Sequence, residues 1–145
     1  MKIEPYVESM AQDVCAIWYD SFESAGLSHD PDTSPETLQV RLAQEIAGGW
    51  HVYAVMDSGQ VLGFLAYDPA KRYLNQLFLA RTAQGRGVGK ALLDFAKTQM
   101  PKGFRLRTHA DNRGAQRFYE RERLVRETTE RHPRYGHLTH IYKWR

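Results

Sequence analysis

Three glycines alternate with other residues in Gln84-Gly-Arg-Gly-Val-Gly-Lys90, and the hydrophobic period of the chain changes across them. Before them, Tyr73–Leu79 is a β-rich run. After them, Val88, Ala91, Leu92 and Phe95 fall at helical offsets, with Lys90, Asp94 and Lys97 on the opposite face. The pattern predicts a strand, a glycine-punctuated turn and an amphipathic helix in succession. The first turn of such a helix carries N–H groups without intrahelical partners and a partial positive charge. Glycines let an anion approach those groups without obstruction by a Cβ. Arg86 and Lys90 add full charges and Gln84 a polar donor, so a pyrophosphate is the natural guest.

Elsewhere the punctuation predicts the order βααβββαβαββ, a mixed α/β domain. Ile3 to Tyr6 reads as a first strand. Ser9-Met-Ala-Gln12 has the form of a capping box ahead of a helix bearing Val14, Ile17, Trp18 and Phe22 on one face. Residues 26–33 read as a loop. Ser34-Pro35 supplies an N-cap and first-turn proline for a second helix with Leu38, Leu42 and Ile46 as its stripe. Trp50–Met56 and Gln60–Tyr67 are strands joined by a hairpin turn at Asp57-Ser-Gly59. Pro101 and Gly103 close the central helix; Phe104–Thr108 is a strand, Arg113–Arg121 a short helix, and Leu124–Thr129 and Leu138–Trp144 are closing strands.

The 145 residues are expected to form one domain over 1–145, with 42% hydrophobic and 26% charged residues in the range of globular proteins. A single cysteine, Cys15, excludes an internal disulfide and a thiolate zinc site, and is expected to be buried. No apolar run approaches the roughly 20 residues that span a bilayer, and the start lacks a signal-peptide pattern, so the expected setting is cytoplasmic with no membrane partner. The net charge of +3 is unevenly spread: residues 1–80 hold 4 Lys and Arg against 11 Asp and Glu, whereas residues 81–145 hold 16 against 6. A basic C-terminal half fits an anionic ligand, either a nucleic acid or a phosphorylated small molecule. No RNP-type or helix-turn-helix signature supports the nucleic-acid alternative.

Two phosphate-binding motifs are eliminated by spacing. Gly85 to Gly89 is one residue short of a Walker A loop, with Ala91 where the metal-binding hydroxyl belongs. The sixth position is Lys90 counted from Gly85 and Leu92 counted from Gly87, so neither register gives a dinucleotide fingerprint. The segment instead resembles a different pattern. Gln84-x-x-Gly87-x-Gly89 after a strand matches the (Gln/Arg)-x-x-Gly-x-(Gly/Ala) motif of the GCN5-related N-acetyltransferases. Asn112-Arg-Gly-Ala115-Gln-Arg-Phe118-Tyr119-Glu120 looks like that family's second signature, and the helix and strand between the motifs match its spacing. The resemblance is specific over roughly residues 74–124 and rests on element order before that. Where the family continues Tyr-Glu-Lys-x-Gly-Phe, this chain has Tyr119-Glu-Arg-Glu-Arg123-Leu124.

The resemblance implies an acyl-CoA N-acyltransferase fold: a mixed, mostly antiparallel sheet of about seven strands, about four helices, and a splayed parallel strand pair formed by Tyr73–Leu79 and Phe104–Thr108. It implies acetyl-CoA as co-substrate, a small-molecule or peptide amine as acceptor, and room for a homodimer. By carry-over, the main chain of Leu77, Phe78 and Leu79 meets the pantetheine arm and offers an N–H to the oxyanion. Gln84, Gly85, Arg86, Gly87, Val88, Gly89 and Lys90 hold the pyrophosphate. Asn112 bonds the pantetheine chain, Ala115 and Phe118 line it, and Tyr119 is the general acid. A phenol of pKa near 10 is still protonated when a thiolate of pKa about 8.5 departs.

The base is left open. The positions facing it, Asn75 and Gln76, cannot take a proton; His109, Glu23, Asp32, His140 or a water relay are the alternatives. Trp18 and Phe22 precede a loop expected to shape the acceptor pocket, and Asp30 and Asp32 in that loop are expected to attract a cationic amine. Asn75 and His109 complete the expected substrate contacts. His132, His137 and His140 lack metal-ligand spacing, so no metal is expected. An idle acyl-CoA sensor with the same fold stands as the alternative to an enzyme.

Overall fold

The computed structural model describes residues 1–24 and 32–145. Local chemistry accounts for several boundaries. Ser34 caps helix α2 (Pro35–Ala47): its hydroxyl accepts from the Thr37 N–H at 3.1 Å while the Thr37 hydroxyl accepts from the Ser34 N–H at 2.8 Å, with Pro35 in the first turn. Strands β2 (His51–Asp57) and β3 (Gln60–Asp68) are joined by Ser58 and Gly59, both at positive φ, as a tight twisted hairpin requires. Before them come β1 (Lys2–Pro5) and α1 (Ala11–Ser24); after them β4 (Tyr73–Leu79), α3 (Val88–Gln99), β5 (Phe104–His109), α4 (Arg113–Arg121), β6 (Val125–Arg131) and β7 (Leu138–Trp144).

The seven strands form one sheet in the order β1-β2-β3-β4-β5-β7-β6. Every neighbouring pair is antiparallel except β4 and β5, which run parallel and share one register pair, Tyr73↔Arg105. The Arg105 N–H bonds the Arg72 carbonyl at 3.0 Å, and beyond that point the two strands diverge. The middle of the sheet therefore opens as a V. Strand β3 is buried on both faces, and its side chains divide by the period of two. Leu65 and Tyr67 join Val88, Leu92, Leu93 and Ala96 of α3. Phe64 and Ala66 join Val14 and Trp18 of α1 and Leu38 and Leu42 of α2. Strand β6, the charged edge, is exposed along its whole length.

Four sequence expectations are corrected. Ser9 does not cap a helix: Glu8–Met10 is a 3₁₀ turn, and α1 begins at Ala11. The first strand spans Lys2–Pro5 rather than Ile3–Tyr6, although the Tyr6 N–H still bonds Val52 at 2.9 Å. The buried face of α3 includes Gly89, Leu93 and Ala96, while Ala91 and Phe95 are half-buried at its margin. Phe95 packs instead against Tyr53, with ring centroids 4.6 Å apart. The sixth strand starts at Val125 because Leu124 is used to close α4: its N–H bonds the Tyr119 carbonyl at 2.9 Å.

Candidate active site

From Asn75 onward β4 has no strand partner on its β5 side, so backbone polar groups of Leu77 and its neighbours are presented to the V. The opening leads into a cavity of about 360 Å³ lined by Leu77 and Phe78 of β4, by Asn112, Ala115 and Tyr119 at α4, and by a second group of side chains on the far side. Leu79 and Phe118 lie behind, where each comes within ordinary contact of the space a Cβ on Gly89 would fill. That packing draws the start of α3 against both β4 and α4.

Gly85 and Gly87 are both left-handed, at φ of 78°, and Gly87 is the N-cap of α3. A Cβ at either would meet nothing within 4 Å. Conformation and access, not packing, call for glycine here. The first-turn N–H groups of α3 face this unobstructed approach. The flanking cations are exposed and paired: Arg86 reaches Asp57 at 3.2 Å, and Lys90 reaches Asp94 at 3.0 Å and Glu122 at 3.1 Å. Exposed pairs of this kind contribute little and exchange readily for a phosphate.

Helix α4 is anchored from two sides. Asn112 caps it, its side-chain oxygen accepting from Ala115 at 3.2 Å, which leaves the amide NH₂ as the group it can offer a ligand. Buried Gln116 donates to the Ala110 carbonyl at 2.7 Å and accepts from Arg126 at 3.0 Å. At the other end Arg123 donates to Glu120 at 3.1 Å and Leu124 to Tyr119, the bonding of a Schellman motif. Arg123 takes the left-handed position, φ 74°, at which the family pattern has glycine. The turn is thus kept with a strained residue. Tyr119 is held in the cavity wall, and burial pushes its phenol well above the ordinary tyrosine range.

The far wall holds residues that the sequence did not single out for the site. Arg41 and Glu45 come from α2, Trp50 precedes β2, Arg107 lies on β5, and His132, Arg134, Tyr135 and His137 come from the β6–β7 connection. His137 stacks on His109 at 4.4 Å and on His132 at 5.1 Å. Nδ1 of His109 accepts from the Asp111 N–H at 3.1 Å, and Nδ1 of His132 from those of Arg134 and Tyr135 at 3.0 and 3.1 Å. That acceptor role of Nδ1 places the proton of a neutral ring on Nε2. Nδ1 of His137 and Oδ1 of Asn75 are buried without a hydrogen-bond partner among the described residues. Burial and nearby positive charge hold His132 and His137 below the usual imidazole value. The signal missed in the sequence was the run His132-Pro-Arg-Tyr-Gly-His137, which only the strand order carries back to the end of β5.

Of the remaining sequence candidates, Phe22, Asn75 and His109 line this cavity. Asp32 lines an adjoining one of about 340 Å³ that shares Phe22, Arg41 and Glu45 with it. Trp18 is not in either wall: it is fully buried beneath Arg41, whose guanidinium lies 5.2 Å from its ring centre. Asp30 lies outside the described residues. His140 sits on β7 and approaches the Thr129 hydroxyl at 2.7 Å, away from the cavity wall. Among the described residues no group of three or more His, Cys, Asp or Glu is arranged to hold a metal, and no helix is long and apolar enough to cross a membrane.

The overall fold is shared with solved acetyltransferase structures. A putative acetyltransferase of the GNAT family from Desulfovibrio desulfuricans superposes with a TM-score of 0.79 at 18% identity, covering 99% of this chain and 97% of that one. Ribosomal-protein-alanine N-acetyltransferase from Brucella melitensis gives 0.81 at 17% identity, with 99% of each chain covered. Spermidine N-acetyltransferase from Vibrio cholerae, as an F149A mutant, gives 0.74 at 15%, covering 99% and 94%. No curated protein matches the sequence. The sequence profile of the acetyltransferase (GNAT) family matches residues 11–123, and the chain belongs to that family.

Proposed function

We propose that this protein transfers an acetyl group from acetyl-CoA directly to an amine bound in the same cavity. The observation that carries the reading is the divergence of β4 from β5 after a single register pair, beside the unobstructed start of α3. An extended thioester arm fits along the unpaired edge of β4 as an added strand would, with its diphosphate on the α3 N-terminus and Arg86 and Lys90 released from their surface carboxylates to it. The Asn112 amide donates to the arm, and Ala115 and Phe118 cover it. Leu77, Phe78 and Leu79 supply the main-chain edge, one N–H of which stabilises the oxyanion.

In the transfer the amine nitrogen bonds to the thioester carbon and the carbon–sulfur bond breaks. Tyr119 gives its phenol proton to the departing sulfur; the new amide nitrogen loses a proton to solvent, and solvent restores the phenol. Because burial raises the phenol pKa, Tyr119 stays protonated through neutral and mildly alkaline pH. The same apolar wall makes a thiolate formed beside it more basic and so a better proton acceptor. Asn75 and Gln76 are amides, so proton removal passes through water in the cavity.

The test is thiol release from acetyl-CoA over a panel of amines, together with direct acetyl-CoA binding. Tyr119→Phe is expected to keep acetyl-CoA affinity and lose about 100-fold or more in kcat. Acetyl-CoA binding without thiol release would favour the sensor, and absence of binding would end both readings.

A further inference from the structure

Arg41 is placed unlike any other cation of the site. It lines both cavities from α2, is half-buried, and its guanidinium makes no hydrogen bond or ion pair among the described residues. Its one recorded partner is the face of Trp18, at 5.2 Å. Trp18 cannot yield, being fully enclosed among Phe64, Trp50 and the α2 side chains, with Trp50 at 6.0 Å and Phe64 at 6.3 Å. A guanidinium stacked on an aromatic face uses its π surface and leaves its N–H groups, which lie in its plane, free to bond a carboxylate.

The surroundings explain why the partner comes from outside. Glu45, one turn along α2, lines the same cavities but forms no ion pair with Arg41. Arg107 is already held by Thr139 at 2.7 Å and Glu130 at 2.9 Å. The charges of Arg41, Arg107 and Arg134 are all felt at His132, so three guanidiniums from α2, β5 and the β6–β7 connection converge on one side of the cavity. Arg107 is answered by Glu130 and Arg134 is not free of partners, so the guanidinium left to a ligand is that of Arg41, which faces in the described wall of that cavity only the carboxylate of Glu45.

We infer that Arg41 is the anion anchor of the acceptor subsite, and that the accepted amine belongs to a molecule that also carries a carboxylate, an amino acid or an acidic peptide. The inference rests on the acetyltransferase reading for the position of the amine. It adds a carboxylate contact to the sequence expectation that acidic residues such as Asp32 attract the cationic amine end of the acceptor. The amine end enters beside Leu77 and Tyr119, and the carboxylate end meets the guanidinium in a bidentate contact. Discrimination follows from the unmet charge: an ester or amide in the carboxylate's place leaves the guanidinium partly desolvated and unpaired.

The experiment compares glycine, glutamate and alanylglutamate with their methyl esters, as acetyl acceptors and by titration into the CoA-saturated protein with tryptophan fluorescence as the readout. The acids are expected to exceed their esters at least tenfold in kcat/KM and in affinity. Arg41→Gln should bring the ratio close to one through KM, Arg41→Lys should keep part of it, and Arg41→Glu should favour the esters, all with acetyl-CoA binding unchanged. A preference for the free amino acids over the dipeptide assigns the anchor to an α-carboxylate, and the reverse to an acidic side chain. Equal use of acids and esters, or a preference that survives Arg41→Gln, overturns the anchor even if acetyl transfer proceeds. Failure of the wild type to bind acetyl-CoA strikes the acetyltransferase reading instead, while the same fluorescence titration of the ligand-free protein still reads the anchor.

Discussion

Arg123 occupies the C′ position of α4 with a backbone conformation that costs an L-residue roughly 1–2 kcal/mol. The fold accepts the cost because two hydrogen bonds and the contact of Leu124 with the core depend on that turn. Glycine relieves the strain but is freer in the unfolded chain, so Arg123→Gly is expected to stabilise the protein by about 0.5–1 kcal/mol. Urea denaturation measures the change, and a destabilised variant would show that the arginine side chain contributes more than its backbone costs. The same turn fixes Tyr119, whose substitution by phenylalanine is the corresponding test of chemistry. Trp18 shows how the role of a residue can move by one contact: expected in the acceptor pocket, it lies under the pocket's arginine instead.

Two elements set the site, the V of β4 and β5 and the β6–β7 connection. β4 is pressed on β3 at Gly63, where a Cβ would lie 2.8 Å from Leu79 Cδ2 and 2.9 Å from the Phe78 carbonyl, so this glycine fixes how closely β4 follows β3. The connection carries the stacked imidazoles, and its acid response has a definite sign. Burial comes first among the causes that lower the His132 and His137 values; then His137, Arg107, Arg134 and Arg41 act on His132, and His109 and Arg107 on His137. An unfolded histidine titrates near 6.5. Above that pH both states are neutral. Below it the unfolded chain takes up protons that the fold resists, so stability falls as the pH drops from about 6.5 toward the lower folded values. Melting temperatures from pH 8 to pH 5 should decline less in a His132→Gln, His137→Gln double variant than in the wild type. Parallel curves would place the acid sensitivity elsewhere.

For the whole molecule, the charge asymmetry of the sequence is partly cancelled across the fold, since Arg81 meets Asp20 at 3.0 Å and Arg86 meets Asp57. A ligand that binds only the folded state at 100 times its Kd adds about 2.7 kcal/mol. Saturating acetyl-CoA is therefore expected to raise the melting temperature by about 5–10 °C, whereas NAD or ATP leaves it unchanged. No shift with acetyl-CoA would contradict the proposed cofactor site. What was legible in advance was local: the period change at Gly85–Gly89, the Ser34-Pro35 cap and the hairpin at Ser58-Gly59 gave the central elements and their order. The two glycine and asparagine motifs gave the family, because turn conformation and helix capping depend on residues close in the chain. The acceptor side was not legible. Arg41, Arg107 and the His132–His137 run are far apart in sequence and periodic with nothing. They share a wall because β7 inserts between β5 and β6 and because α2 packs its Leu38 and Leu42 face on the sheet. Sequence alone determined the strand–turn–helix and its family, since hydrogen bonding and backbone sterics act over a few residues. The charge and shape of the opposite wall were decided only by the tertiary structure, since they depend on which distant surfaces the burial of apolar side chains brings together.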